Sequence, residues 1–220
     1  MKLRRSREPR SEAAMAYQAG EQSSATTPWA EARYAVVDLE TTGLDPRHDE
    51  IVSVASIPID RGRVIIGEAS TAIVRPTQMP SAGTIRIHGL RPADLAAAPP
   101  LGEVLDAILE SLTGRVLIAH AAWVERGFLQ AALKPAGLRL AEPILDTASL
   151  ANEVLALPGL AKGEAPPLAD VARQLGLPVH SPHTAEGDAL TTAQLFLALA
   201  TRLDRREPQT VGSLARLSNA

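Results

Sequence analysis

The central clue to this protein's architecture is the run Val36-Val37-Asp38-Leu39-Glu40-Thr41-Thr42-Gly43. Apolar residues lead into two carboxylates spaced i, i+2, and on a β-strand that spacing points both side chains to the same face. Burying Asp38 beside Glu40 is costly unless a cation lies between them. The run therefore predicts a β-strand that carries part of a site for a divalent metal ion.

Length and composition limit the class of protein. The 220 residues fit one domain of ordinary size with tails. The net charge of −3 excludes a strongly basic protein that coats nucleic acid. It is compatible with an enzyme that binds a few phosphates locally. The absence of cysteine excludes thiolate zinc sites, disulfides and a cysteine nucleophile. No apolar run approaches the ~20 residues that span a bilayer, so we expect a soluble, cytoplasmic protein with no membrane partner.

The order of apolar runs predicts a mixed α/β fold. Strand patterns occur at 34–38, 51–59, 64–74, 116–119 and 144–146. Helical patterns alternate with the last two strands and continue to about residue 203. Three antiparallel strands followed by alternating helices and strands predict a five-stranded mixed sheet flanked by helices.

The two ends of the chain carry weaker patterns. Residues 1–30 mix charged, small and polar side chains without periodicity, so we expect a mostly disordered tail with at most a short helix near 11–19. Residues 204–220 are expected to form a short C-terminal tail. The domain that carries the chemistry is thus predicted at 31–203.

Two further patches contain residues suited to the same metal site. Glu125 follows His120 by five residues, and Asp188 follows His183 by five. Carboxylates without sulfur make a hard oxygen site of the kind that Mg²⁺ or Mn²⁺ occupies. Ser181-Pro182 is expected to open the last long helix as its N-cap and first-turn proline.

These patches resemble, in order, the three motifs of DnaQ-like 3′–5′ exonucleases, the DEDDh group with a ribonuclease H-like fold. The first motif runs from Asp38 to Asp45, the second from Ile118 to Leu129, and the third is His183-Thr184-Ala185-Glu186-Gly187-Asp188. The resemblance covers about residues 33–203 and is closest to the DNA polymerase III epsilon-like branch. It implies a metal-dependent 3′–5′ exonuclease that releases nucleoside 5′-monophosphates from single-stranded DNA ends.

The second motif departs from the family pattern at two positions. The family usually has Asn after the histidine, where this chain has Ala121, and Asp five residues after it, where this chain has Glu125. The segment Arg126-Gly127-Phe128-Leu129 fixes the alignment. Because near-octahedral Mg²⁺ tolerates misplaced ligands poorly, these departures bear on rate and metal preference more than on the fold.

The resemblance also implies roles for the site residues. Two Mg²⁺ or Mn²⁺ ions would be held by carboxylates, with Asp38 bridging both ions, Glu40 and Asp188 completing one, and Glu125 acting mainly through water. His183 would be the general base that takes a proton from the attacking water.

Substrate contacts follow from the same resemblance. The residues expected near the terminal nucleotide are Thr41, Thr42, Gly43, Leu44, His88 and His120. Leu44 would act as an apolar wedge against a base, and His120 would have a supporting role. Trp123 and Phe128 are expected to pack in the core, and Asp146 is expected to cap a helix.

Two other functions stay open at this point. An exoribonuclease acting on short RNA or RNA 3′ ends would use the same site, with pocket contacts to the 2′-hydroxyl. A catalytically weakened module that binds nucleic acid or a partner without cutting is supported only by Ala121 and Glu125. The expected ligand is a single-stranded nucleic-acid 3′ end. A polymerase partner is compatible with the sequence, which shows no evident segment for binding one.

Overall fold

The computed structural model describes residues 11–156 and 165–218, so residues 1–10 of the predicted tail lie outside the described ranges. Within these ranges the strands are β1 (Arg33–Thr41), β2 (Ile51–Asp60), β3 (Arg63–Val64), β4 (Ser70–Ile73), β5 (Val116–Ala119) and β6 (Ile144–Asp146). The helices are α1 (Glu12–Ala19), α2 (Ala82–His88), α3 (Pro92–Ala97), α4 (Leu101–Leu112), α5 (Trp123–Leu133), α6 (Thr147–Leu155), α7 (Leu168–Gln174), α8 (Ala185–Asp204) and α9 (Val211–Leu217). No helix in these ranges is long and apolar enough to cross a membrane.

The strands form one mixed sheet in the order β3-β2-β1-β5-β6, and β4 also pairs with β2. β1 and β2 are antiparallel, whereas β1, β5 and β6 are mutually parallel along the sheet. The predicted five-stranded arrangement is confirmed, with one difference. A short 3₁₀ helix at Ile66–Glu68 divides the third strand into β3 and β4, both of which pair with β2.

The two faces of the sheet bury separate hydrophobic clusters. Val37 and Leu39 of β1 pack in the cluster that contains α4 and α5. Tyr34 and Val36 pack in the cluster that contains α8. Because side chains alternate along a strand, the even-numbered positions that follow face the α8 side of the sheet. The strand thus directs its two carboxylates toward the last long helix.

The segment before the sheet is ordered from residue 11, where a mostly disordered tail was expected, and helix α1 lies at the position of the short helix expected near 11–19. Helix α1 packs against α4 and buries Ala13, Ala14 and Tyr17. The Tyr17 hydroxyl accepts a 2.9 Å hydrogen bond from the backbone N–H of Ala141. The apolar side chains that order this segment are few and lack a helical period over any long window, which is why the sequence pattern indicates it only weakly.

The C-terminal segment is also part of the domain. Helix α9 buries Val211 and Leu214 in the cluster beside α8. The backbone N–H of Val211 donates to the carbonyl of Thr27, and that of Gly212 donates to the carbonyl of Ala25. The predicted C-terminal tail therefore contains a helix that packs on the domain and contacts the segment preceding β1.

Candidate metal and active site

The candidate site lies where β1 ends beside β5. These strands are parallel, and Val36 lies opposite Ile118, so the residues that follow both strands emerge at the same end of the sheet. The β1–β2 register shifts between Glu40 and Thr41, which ends the regular pairing at this point. Helices α5 and α8, which pack on opposite faces, both begin near this end.

Three of the predicted metal ligands come together. Carboxylate oxygens of Asp38, Glu40 and Asp188 all lie within 4.8 Å of one another. The first two share a strand face, as their spacing predicts, and Asp188 reaches them from the first turn of α8. Three hard oxygen ligands at this separation suit a divalent cation.

Glu125 lies beside this group rather than in it. It sits in the first turn of α5 and is buried, with 4% of its surface exposed. Its Oε2 atom is buried and has no hydrogen-bond partner among the described residues. A buried carboxylate oxygen without a donor is costly, so this atom also favours a cation or a bound water at the site.

The electrostatics of the cluster lead to the same conclusion. Burial raises the pKa of Asp38 well above its usual range, and the charges of Glu125, Asp188 and Glu40 raise it further. Burial, and then the Asp188 charge, raises the pKa of Glu40 to about 7. Burial is also the main cause that raises the pKa of Glu125 to about 8. The residues therefore fit a divalent cation, which would compensate this concentration of negative charge.

The third motif joins a loop to the first turn of α8, which contains Asp188. The backbone N–H of His183 donates a 2.9 Å hydrogen bond to Asp188 Oδ2. His183 has a left-handed backbone (φ 62°) and an exposed side chain. The helix opens at Ala185, with the Thr184 hydroxyl accepting from the N–H of Gly187, rather than at Ser181. The expected helix start at Ser181-Pro182 is wrong, and His183 precedes the helix.

Gly187 explains why this loop lies so close to the helix. A Cβ atom at this position would overlap the backbone carbonyl oxygens of His180 and Ser181. Only glycine allows the loop to fold back across the first turn of α8 without moving backbone atoms. Gly187 therefore helps to hold His183 near Asp188.

The predicted substrate loop is held together internally. The Thr41 hydroxyl donates to the carbonyl of Gly43, and the Thr42 hydroxyl donates to Asp49 Oδ1 at 3.0 Å. The Asp49 carboxylate packs against the Cα of Gly43, where a Cβ would overlap it. Leu44 is left 66% exposed. The two threonine hydroxyls thus shape the loop, while Leu44 is free to contact a ligand.

Asp49 is a residue that the sequence reasoning missed. Its carboxylate accepts from the Thr42 hydroxyl and, at 2.9 Å, from the backbone N–H of Asp45. An acid placed in a glycine-containing loop just before a strand is the signal that could have indicated this role.

The two histidines predicted near the terminal nucleotide are both engaged with the protein. His88 is buried, and its Nδ1 accepts a 3.0 Å hydrogen bond from the backbone N–H of Leu90. Its Nε2 has no partner among the described residues, and burial lowers its pKa. His88 ends helix α2, in which Thr84 donates to the carbonyl of Thr42. It therefore lies on an element that contacts the substrate loop.

His120 differs from the expectation of a substrate contact. Its Nε2 donates to the carbonyl of Pro166 at 2.7 Å, and its Nδ1 lies 2.9 Å from the Thr147 hydroxyl. Burial is the main cause that lowers its pKa. Both ring nitrogens are thus occupied within the protein, which agrees with the supporting role.

The turn between β5 and α5 contains Ala121, one of the two departures from the second motif. Ala121 has φ 60°, a left-handed conformation that asparagine tolerates better than alanine. Its N–H donates to Asp146 Oδ1, which also accepts from the N–H of Ala148. Asp146 is therefore the helix cap that the sequence predicts.

Phe128 is buried as expected, but the predicted burial of Trp123 is wrong, since its side chain is 54% exposed.

Several curated proteins are similar in sequence. The chain is 35% identical over 198 residues to a DNA polymerase III subunit epsilon-like protein of Rhodobacter capsulatus, an overlap of 89% of this chain and 27% of that protein. It is 29% identical over 188 residues to the 3′-5′ exonuclease DinG of Bacillus subtilis, covering 84% of this chain and 19% of DinG. A DNA polymerase III PolC-type protein of Thermotoga maritima is 32% identical over 168 residues, an overlap of 76% of this chain and 12% of that protein. The chain thus spans 27% or less of these relatives' length.

Solved structures share the fold. Exonuclease X in complex with 5′ overhanging duplex DNA matches with a TM-score of 0.64 at 22% identity, covering 84% of this chain and 99% of that one. E. coli Exonuclease I in complex with a dA16 oligonucleotide matches with a TM-score of 0.66 at 18% identity. The match covers 80% of this chain and 42% of the Exonuclease I chain. The ribonuclease H-like fold is confirmed by these likenesses.

A family model described as an exonuclease (RNase T) matches residues 35–196, which contain all three motifs. The match covers most of the sheet, the carboxylate cluster and the first part of α8. It agrees with the resemblance to DnaQ-like 3′–5′ exonucleases that the motifs carry. This chain therefore belongs to the RNase T exonuclease family, whose members are divalent-metal-dependent enzymes.

Proposed function

We propose that this protein is a 3′–5′ exonuclease that hydrolyses single-stranded DNA ends and releases nucleoside 5′-monophosphates. The observation that carries the proposal is the convergence of Asp38, Glu40 and Asp188 within 4.8 Å, at the end of the sheet where the three motifs meet. Family membership supports the reaction class. The DNA-processing relatives and the DNA complexes of Exonuclease X and Exonuclease I favour DNA as the substrate.

The carboxylates would hold two Mg²⁺ or Mn²⁺ ions. Asp38, Glu40 and Asp188 would be direct ligands, and Glu125 would act mainly through water. The ions, when bound, supply Lewis acidity that activates the attacking water and stabilises the leaving 3′ oxygen. The unpartnered Oε2 of Glu125 supports a ligand role for this residue although glutamate replaces the usual aspartate.

His183 would be the general base. Its side chain is exposed, and its backbone N–H is held by the Asp188 carboxylate, so the imidazole stays near the carboxylate cluster and can approach a bound strand. Histidine is suited to this task because its charge changes near neutral pH. It would take a proton from the water that attacks the terminal phosphodiester, while the phosphorus–3′-oxygen bond breaks.

The loop that follows Glu40 would position the terminal nucleotide. The hydroxyls of Thr41 and Thr42 fix the loop shape, and Gly43 lets it pack tightly against Asp49. Leu44, two-thirds exposed, would pack against the terminal base. A loop of fixed shape with one free apolar side chain suits binding of a base without sequence preference.

The partner of this site would be a single-stranded 3′ end. Relatives named as DNA polymerase III proteins support an additional association with a polymerase, although the similarity covers only 12–27% of those relatives. Co-purification of the full chain with a candidate polymerase subunit would test that association.

The activity is tested by digesting matched 5′-labelled single-stranded DNA and RNA oligomers with Mg²⁺, with Mn²⁺ or with EDTA. Asp188→Ala serves as the matched inactive control. We expect stepwise shortening from the 3′ end that requires both the metal and Asp188, with DNA degraded faster than RNA. Faster digestion of RNA would instead make the protein an exoribonuclease.

Absence of cleavage with either metal would favour a binding module. Glu125→Asp separates that outcome from a weakened enzyme, because it restores the usual family ligand. If the natural chain is inactive and this variant cleaves, glutamate at position 125 has weakened the site. If neither cleaves, the exonuclease proposal fails.

A further inference from the structure

Trp123 is the exception among the aromatic side chains of this protein. All six aromatic residues lie within the described ranges, and five of them are buried: Tyr17, Trp29, Tyr34, Phe128 and Phe196. Trp123 alone is exposed, with 54% of its surface accessible. An exposed indole that adjoins other exposed apolar side chains is a candidate for contact with a ligand.

Trp123 begins α5, at the end of the helix that lies beside the carboxylates, and it points to a different side of the helix from Glu125. The buried Glu125 follows it by two residues. Trp123 and Gly127 are spaced i, i+4 and therefore share one side of the helix, about 5.4 Å apart along the axis. Gly127 packs under the ring of Pro46, where an added Cβ would lie 3.0 Å from Pro46 Cγ.

Pro46 belongs to the loop that carries Leu44. The indole therefore lies one helical turn from this loop, at the end of α5 that opens onto the carboxylates. Leu44 is 66% exposed. Two exposed apolar side chains thus project from neighbouring elements at the same end of the sheet.

A second pair of exposed apolar side chains lies on the segment between β4 and the end of α2. Met79 is 47% exposed and Ile87 is 59% exposed. The segment that bears them is tied to the loop, because the Glu50 carboxylate accepts from the N–H of Thr77 at 2.7 Å and Thr84 donates to the carbonyl of Thr42. We call Leu44, Met79, Ile87 and Trp123 the apolar rim.

We propose that Trp123 forms a base-stacking subsite for the nucleic-acid strand that enters the site, and that the apolar rim guides that strand. This inference rests on the proposed function. Two divalent cations would only balance the charge of the four carboxylates, so the site offers a polyanion little net attraction beyond the metal–phosphate contacts. Stacking of a base on an exposed indole adds affinity that does not depend on base identity, because every base has a π-face.

The intrinsic tryptophan fluorescence of the chain provides a probe for this subsite. It contains two tryptophans, and Trp29 is buried while Trp123 is exposed. An oligothymidylate should therefore quench the fluorescence of Trp123 selectively. An oligomer of equal length with abasic sugars has the same phosphates but no bases, so it should bind without this quenching. Ca²⁺ in place of Mg²⁺ suppresses turnover during the titration.

Variants make the test quantitative. Trp123→Ala should abolish the quenching and raise the Kd for oligothymidylate about tenfold, whereas Trp123→Phe should retain most of the affinity. In cleavage assays the Ala variant should raise KM with little change in kcat, since the carboxylates and His183 are untouched. Ile66→Ala is the matched control, because Ile66 is 56% exposed but lies at the β3–β4 edge.

Several outcomes would overturn the inference. Equal quenching by the abasic oligomer, or an unchanged Kd in Trp123→Ala, would show that the indole does not stack on a base. A change of sedimentation on Trp123→Ala without a change in Kd would assign the indole to a protein contact. Failure of the proposed function is distinguishable, because a chain that never cleaves can still lose oligothymidylate binding on Trp123→Ala.

Discussion

The two halves of the candidate site are built in opposite ways. Asp38 is half-buried on a central strand and Glu125 is buried on a helix, and burial is the main cause that raises both of their pKa values. His183 lies on an exposed loop with a left-handed backbone, tied to the cluster through its own N–H. The difference indicates that the metal ligands are fixed by the core, while the proton acceptor can adjust to the substrate. Substitutions in the buried half should change stability and metal response together, whereas those in the loop should change turnover alone.

Of the substitutions in the buried half, Asp38→Asn should cause the largest loss of activity. We expect activity to fall by at least about a thousandfold, because the central carboxylate of the cluster is lost. The metal-free variant should nevertheless melt at a higher temperature than the natural chain, since one buried negative charge is removed from a repulsive group. Activity assays and melting curves with EDTA and with Mg²⁺ would measure both effects. An unchanged Mg²⁺-induced rise in Tm would contradict the assignment of Asp38 as a ligand.

His183→Ala should lower turnover without changing metal binding, and it should thereby distinguish the role of the loop from that of the buried half. The loss of a general base is expected to lower kcat by about 10²- to 10⁴-fold. The Mg²⁺-induced rise in Tm should stay as in the natural chain, because the imidazole is not among the clustered oxygen ligands. His180→Ala is the matched control, three residues earlier in the same loop. A larger loss of kcat in that control would identify His180 as the base instead.

The metal-free protein should lose stability as the pH rises from about 4.5 to about 8. The ordinary pKa of a glutamate side chain is 4.5, and the folded protein raises the pKa of Glu40 to about 7 and that of Glu125 to about 8. Between these values the folded state binds more protons than the unfolded state, so the free energy of unfolding falls with increasing pH. Urea titrations in EDTA at several pH values would measure the slope.

Saturating Mg²⁺ should flatten this dependence, because a bound cation favours the ionised carboxylates. Glu125→Gln should reduce the slope in EDTA, since glutamine does not titrate. A metal-free stability that is flat or rises across this pH range would mean that the carboxylates are not mutually repulsive.

Ala121→Gly should give the smallest effect, a slight stabilisation of the protein. Relief of a left-handed alanine (φ 60°) gains ~1–2 kcal/mol, and the flexibility of glycine costs about 0.5–1 kcal/mol, so a net stabilisation of about 0.5–1 kcal/mol is expected. Ala122→Gly is the matched control, with φ −54° and a buried side chain, and should destabilise the protein. Urea denaturation of both variants would compare them. Equal destabilisation by both would show that the turn is not strained.

Local patterns made much of the buried half predictable. The i, i+2 spacing of Asp38 and Glu40 indicates a shared strand face, and the packing of alternate β1 residues in the two different clusters agrees with it. The cap at Asp146 also follows from its place after a short strand. These features depend on residues close in sequence, which is why periodicity and turn chemistry could indicate them.

Features that depend on distant contacts were not predictable in the same way. The start of α8 at Ala185 depends on Gly187 packing under the carbonyls of His180 and Ser181, a contact invisible to a helix-start pattern that favours Ser181-Pro182. The exposure of Trp123 likewise depends on which side of α5 meets the sheet. Aromatic residues are usually buried, and that expectation was correct for Phe128 and wrong for Trp123.

The pairing of residues 25–29 with residues 209–212 has a consequence for how this domain could be combined with others. The bridge between Pro28 and Thr210 and the hydrogen bond from the N–H of Trp29 to the carbonyl of Gln209 bring the two flanks of the domain side by side. The segment before β1 and the C-terminal helix are therefore tied to each other, so a fusion or truncation that displaces one should also loosen the other. A fusion partner should be joined before α1 or after α9, since both helices pack on the domain.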